Sequence, residues 1–448
     1  MSHPRRSRPM PPLKPAVFAL VVLFATSYPA TASWHQERPM VGTTIAAGDN
    51  WGSAVAILGN TAAVGAELAD PAGNASGAVA IFERTVEAGE IWNEVELLPG
   101  LAAGDHFGAA LALTGSQLLV GAPLADTAGT GAGSVYVFER GVDGWEPVQE
   151  LTASDGDGGD SFGTALSAVG DFLVVGAKLA DGAGDAAGAA YVFVRDGSGT
   201  WTEERRLLAS DADIDDQFGF AVAIDPSSGS GGTVVVGALC DDDDGSNSGS
   251  AYVFERNAGG AGNWGETAKL TASDSTAGDR FGGAVAILGS TVAVGAMFHD
   301  GFAPDAGAAY VFERQQTEGG TTWAQDQKPA IGSIEPGDLL GSAVALFGNI
   351  LLVGSEGNDE GEGRAMRFSR DAAGTWQAIQ WHLTGGNQSG RFGARVAIDM
   401  DRILIGGPTD DRNGQDAGIA QLYSPRALFD SFESGDLSKW HHVVGLEQ

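Results

Sequence analysis

The sequence predicts an all-β protein: a seven-bladed β-propeller of four-stranded blades, closed by an N-terminal strand. Three observations predict it. One phrase recurs seven times, each recurrence resolves into four strand-like runs, and the two chain ends hold complementary parts of a single repeat.

The phrase is fullest at Asp279-Arg280-Phe281-Gly282, followed by Thr291-Val-Ala-Val-Gly295-Ala296 and then Gly307-Ala-Ala-Tyr310-Val-Phe312. The glycine of its opening step falls at Gly52, Gly108, Gly163, Gly219, Gly282, Gly341 and Gly393. Spacings of 52 to 63 residues mark an array of small β units rather than a string of ordinary domains. The 68 glycines follow no Gly-X-Y period, which excludes collagen, and they sit between short Val/Ile/Ala-rich runs.

Within repeat five the first run is Phe281–Leu288, the second Thr291–Met297 and the third Gly307–Arg314. The fourth opens on a tryptophan: Trp92, Trp145, Trp201, Trp264, Trp323 and Trp376 are the successive landmarks. Short strands at even spacing with one aromatic per unit fit propeller blades. Tyr136, Tyr191, Tyr252 and Tyr310 recur on the third run and read as packing between blades.

Repeat seven, Phe392 to Tyr423, has no Trp-led fourth run, whereas Trp34 heads an orphan one before Trp51. The N-terminal strand is therefore expected beside Gly418–Tyr423, which removes two free sheet edges. An open β-solenoid would need no displaced strand.

Residues 1–32 read as a secretory signal: Arg5, Arg6, Arg8 and Lys14, an apolar core from Ala16 to Thr26, then Ala30-Thr31-Ala32 as a cleavage site. That places the protein outside the cell or in its envelope, with the propeller over 33–424 and a tail over 425–448. No later stretch is long enough to span a bilayer. A single cysteine, Cys240, allows no intrachain disulfide. The net charge of -33 excludes nucleic acid and anionic membrane as partners and leaves a protein or carbohydrate ligand for a monomer.

The Phe-Gly opening and the Val120-Gly121-Ala122-Pro123 element resemble FG-GAP repeats, those of the integrin α-subunit propeller and its secreted bacterial relatives. The resemblance implies a seven-bladed propeller used for adhesion or ligand binding. It also implies calcium in Asp-x-Asp-x-Asp-Gly loops between the first two strands. This sequence departs there: its turns are Leu58-Gly-Asn60, Val169-Gly-Asp171, Leu288-Gly-Ser290 and Phe347-Gly-Asn349, with incomplete acidic versions at Asp225 and Asp399.

Strand alternation puts the two-to-three and four-to-one loops on one face, and 31 of the 58 acidic residues fall there. The densest place is repeat four, where Asp211, Asp213 and Asp215 face Asp241 and Asp243. Alternating aspartates can turn carboxylates toward one hard cation, so these five are the candidate calcium ligands, their like charges raising one another's pKa values.

No catalytic constellation emerges. His106 and His299 fall on the acidic face in separate repeats and read as surface residues, and no Gly-x-Ser-x-Gly elbow is present. The function expected is non-catalytic binding through the acidic-loop face, with a glycan-active hydrolase or lyase as the alternative.

Overall fold

A computed structural model describes residues 34–425, apart from 86–90, 182–183, 230, 318–319, 331–333, 358–360, 384–388 and 401. The expected leader and almost all of the tail lie outside the described residues. Seven four-stranded antiparallel sheets form, six of them in plain sequence order. Blade four is typical, with strands Phe218–Asp225, Thr233–Ala238, Ser250–Arg256 and Trp264–Leu270.

The seventh sheet runs Trp34–Met40, Ile419–Pro425, Arg402–Gly407, Arg395–Asp399. Trp34 stands opposite Pro425 and Met40 opposite Ala420, with an irregularity between Gln36 and Pro39. A proline, having no N–H, is tolerated at such an outer edge. Gln36 Nε2 donates to Gln421 Oε1 at 2.8 Å, adding a side-chain tie to the ladder. The first step carries Trp51 instead of Phe for a visible reason. Its indole N–H donates to the Met40 carbonyl at 2.9 Å, tying the closing strand to blade one.

Each strand position has its own pattern. Second strands such as Thr233–Ala238 are buried along their whole length, because a neighbouring blade covers either face of the sheet. Their sequence is accordingly a continuous apolar run rather than an alternation. Fourth strands such as Trp201–Leu207 form the rim, buried at both ends and largely exposed between. The second strand of blade five stops at Ala296, one residue short of the expected limit, because the chain turns and His299 N–H donates to the Ala296 carbonyl.

The recurring step is a bulge. Phe281 pairs with Ala296 and Ala284 with Gly295, so two residues of the first strand lack counterparts. Phe281 is fully buried against Tyr310 and Phe312, with ring centroids 5.6 and 5.9 Å away. Gly282 takes φ +88°, where side chains are strained, and its backbone touches the preceding blade. A Cβ on Gly237 of blade four would meet the Gly282 carbonyl oxygen at 1.9 Å. Glycine is thus required on both sides of the joint, and this is what the Phe-Gly and Val-Gly-Ala elements do.

Candidate functional site

The acidic face is built on carboxylates that hold the loops in shape. Asp49, Asp105, Asp160, Asp216, Asp279 and Asp338 each lie three residues before the step glycine, and all are buried. Each accepts the backbone N–H three residues earlier, as Asp216 does from Asp213 at 2.6 Å. Asp70, Asp126, Asp181, Asp242, Asp300 and Asp411 accept the N–H five residues later and brace the two-to-three loops. Twelve of the acids counted on this face are therefore scaffolding. The first six keep a constant phase to the step glycine and the second six to the second-strand glycine, as Asp242 does to Gly237, and that was the available sign.

Burial raises the carboxyl pKa of Asp49, Asp105 and Asp160. For Asp216 it is raised to about 6, burial being the main cause, opposed by the Asp213 N–H and reinforced by the charges of Asp241 and Asp213.

Blade four assembles only part of the expected ligand set. Asp211, Asp241 and Asp243 converge on Lys269, from the fourth strand, with Nζ 2.8 Å from Asp211, 2.9 Å from Asp241 and in direct contact with Asp243. Tyr252 Oη lies 2.8 Å from Asp211 and 2.6 Å from Asp241, with one proton to donate to either, and its ring lies 5.1 Å below the ammonium. Asp213 stands on the rim of the same small pocket, of about 160 Å³, and Asp215 does not line it. Asp215 instead takes φ +65° and donates its backbone N–H to Asp185.

The expected mutual rise in pKa does not hold for Asp211. Burial would raise it, but the hydrogen bonds from Lys269 and Tyr252 outweigh burial and keep the carboxyl below its ordinary value. Burial likewise opposes the Lys269 charge, and the three aspartates overcome it, pushing its pKa up. The chain thus supplies a monocation of its own where six or more oxygens would be needed for calcium. A calcium ion here has to displace Lys269.

The family's usual calcium position does not fit the ion either. Gly59-Asn60, Gly170-Asp171, Gly289-Ser290 and Gly348-Asn349 are two-residue hairpin turns, their glycines at φ 55° to 63°. The incomplete acidic turns serve the next blade instead. Asp225 accepts the Gly289 N–H at 2.6 Å, and Asp399 accepts that of Gly59.

His299 corrects the expectation of a surface histidine: it is 3% exposed. Like Asp241, it follows the last alanine of a second strand by three residues, where blades one to three carry Ala69, Ala125 and Ala180. Its Nδ1 lies 2.8 Å from Asp279 and its Nε2 2.6 Å from Lys328 Nζ, which also reaches Asp274 at 2.8 Å. An ammonium can only donate, so Nε2 accepts and Nδ1 carries the proton toward Asp279. Both ring nitrogens are occupied, and neither is presented to a substrate. Tyr310 Oη completes the group on Asp274 at 2.8 Å. Blade three repeats it with Asp155, Tyr191 and Arg206. Three of the four recurring tyrosines, Tyr191, Tyr252 and Tyr310, are therefore more than packing: they bridge the third strand to a loop aspartate.

On the axis of the ring a cavity of about 540 Å³ is walled by first strands of all seven blades. Its mouth carries Glu67, Lys178, Glu356, Arg391 and Arg395. Arg391 pairs with Glu356 at 2.7 Å. Lys178 Nζ stands 5.2 Å from the centre of the Phe220 ring. Burial lowers the Lys178 pKa, Glu67 opposing and Arg395 reinforcing the shift. The Cys240 thiol is half-buried, and burial pushes its pKa up.

A family model described as FG-GAP repeat matches residues 34–82, 98–138, 145–193, 201–254, 264–312 and 383–423, more than half of the chain. Four of these segments begin on a fourth-strand tryptophan or on Trp34, so the family unit is one strand out of step with the blade. Blade six falls between matches, and there Leu340 replaces the aromatic and Ser355 the alanine. No curated protein matches the chain.

Proposed function

The chain belongs to the FG-GAP repeat family, and from that premise we propose a non-catalytic binding or adhesion module that takes a protein or glycan ligand on its acidic-loop face. The observation that carries this reading is the make-up of that face. Leu101, Ile214 and Phe302 are exposed on loops otherwise rich in aspartate, and hydrogen-bonded aspartates, Asp105, Asp216 and Asp300, pin those same loops. Rigid loops bearing isolated apolar residues among negative charges suit recognition of a basic, partly apolar surface.

The hydrolase or lyase alternative would need an acid–base group free to meet substrate. His299 has both nitrogens engaged, which weighs against it as that group. Export belongs to the same proposal: cleavage after Ala32 would release the propeller outside the cell or into the envelope, and mass spectrometry of the mature N-terminus tests it.

The deciding experiment is a glycan array and a basic-peptide array, run beside polysaccharide degradation assays. Binding lost on Ile214→Asp or Phe302→Asp with an unchanged melting temperature supports the reading. Turnover of a polysaccharide without retained binding overturns it.

A further inference from the structure

Each blade gives the channel wall one residue two places after the step glycine. In six blades this residue is alanine, as at Ala54 and Ala343, and in blade seven it is Arg395. Lys178, directly after the second strand of blade three, faces the same cavity from another side of the ring. Among the described residues neither side chain has a carboxylate at ion-pair distance; Arg395 donates only to the Ala394 carbonyl, at 2.8 Å.

Most described bases in this chain, where 58 acids face 25 bases, do have one, although Arg205 and Arg280 share the lack. Lys269 holds three carboxylates, Lys328 holds Asp274, and Arg391 holds Glu356. Two cations that share one cavity without a paired acid repel each other, and an anion between them would relieve that. With Arg391 and Glu356 cancelling and His106, which also lines the cavity, counted neutral, Lys178 and Arg395 against Glu67 leave the mouth one positive charge in excess. The wall below carries aliphatic side chains, Val55, Leu111 and Val285 among them, beside the hydroxyls of Thr164 and Ser342, and Phe220 lies beneath Lys178.

We propose that the channel mouth is a binding site for a small organic carboxylate, whose carboxylate group accepts hydrogen bonds from Lys178 and Arg395 while its body lies against the aliphatic side chains of the wall. The cavity is within the range that holds small ligands, about 300–1,000 Å³. Glu67 limits the preference to one anionic group and offers an acceptor to a ligand hydroxyl. The site is separate from the acidic loop tips and does not depend on what they bind.

The test is calorimetric titration at neutral pH with glucuronate and benzoate, against their amides and inorganic phosphate. Saturable binding of at least one carboxylate is expected, with its amide at least about tenfold weaker. Arg395→Ala restores the residue of the other six blades, so the fold should be untouched while affinity drops about tenfold or more. Lys178→Met should do the same. The proposal is overturned if neither carboxylate binds to the folded protein, if both variants bind as the wild type does, or if amide or phosphate binds as well as carboxylate. Ile214→Asp and Phe302→Asp should leave this binding unchanged, so a failure of the loop-face reading can be told from a failure of this one.

Discussion

Gly406 of the seventh blade lies so close to Gly52 of the first that a Cβ on Gly406 would stand 2.2 Å from the Gly52 carbonyl oxygen. The same pairing joins Gly237 to Gly282 and Gly295 to Gly341. Backbone against backbone leaves no flexible side chain to move aside. Gly406→Ala should therefore cost about 3 kcal/mol or more, by forcing two blades apart. Gly197→Ala, in an exposed turn with nothing within 4 Å, is the control and should change little. Urea unfolding compares them, and equal midpoints would refute the joint as described.

Lys269→Met removes the ammonium that Asp211, Asp241 and Asp243 share. Of these only Asp241 is fully buried, so the loss should be nearer to about 2 kcal/mol than to the 3–5 of a wholly buried pair. The vacated place leaves three carboxylates free for a divalent ion. Millimolar calcium should raise the melting temperature of this variant more than that of the wild type, through binding to the native state. Melting curves in calcium and in chelator decide the matter: indifference of both proteins to calcium would end the case for an ion at these aspartates.

Asp216 should make stability fall as pH rises toward neutrality. Its folded pKa of about 6 lies above that of an unfolded aspartate, so the folded state favours the protonated carboxyl. The contribution is complete below about pH 4 and is lost as pH climbs through 6. Asp216→Asn stays neutral and can still accept the Asp213 N–H. Relative to wild type it should gain stability above pH 6, by at most about 3 kcal/mol, and gain nothing near pH 4. Thermal melts across that range would show parallel curves if the shift were absent.

Deleting residues 34–40 should leave blade seven with three strands and Ile419–Pro425 as a bare edge. A lower melting temperature and self-association through that edge are expected. A synthetic peptide of residues 33–42 added in excess should restore both. Unaltered melting after the deletion would show that the closing strand contributes nothing.

The fold was legible because glycine spacing and tryptophan landmarks are local and repeat. The missing last strand and the orphan first one were enough to expect the Trp34 strand beside Gly418–Tyr423, and it pairs with Ile419–Pro425. The site was legible in part. Loop aspartates that brace a turn and those that face a ligand have the same side chain, and only their phase to Gly219 or Gly282 separates them. Lys269 was overlooked because it sits on a rim strand, 58 residues from Asp211 and 26 from Asp243. Yet Arg206, Lys269 and Lys328 each stand five residues after a tryptophan, so the partner was there to be read. His299 misled because a lone loop histidine is ordinarily solvated, and only Ala69, Ala125 and Ala180 at the same place in blades one to three show that it is an interior one.

The pairing of Trp34 with Pro425 also sets an order of assembly. Every other sheet is made from strands adjacent in sequence and can form as soon as its segment is available. The seventh must wait until the last strand meets the first, a loop closure costing about 5 kcal/mol of chain entropy over roughly 390 residues. Blades should therefore appear early and the ring late, with a slow final phase governed by the rarest contact in the molecule. A chain stopped short of Ile419 would have every blade but one, and an N-terminal strand with nowhere to dock.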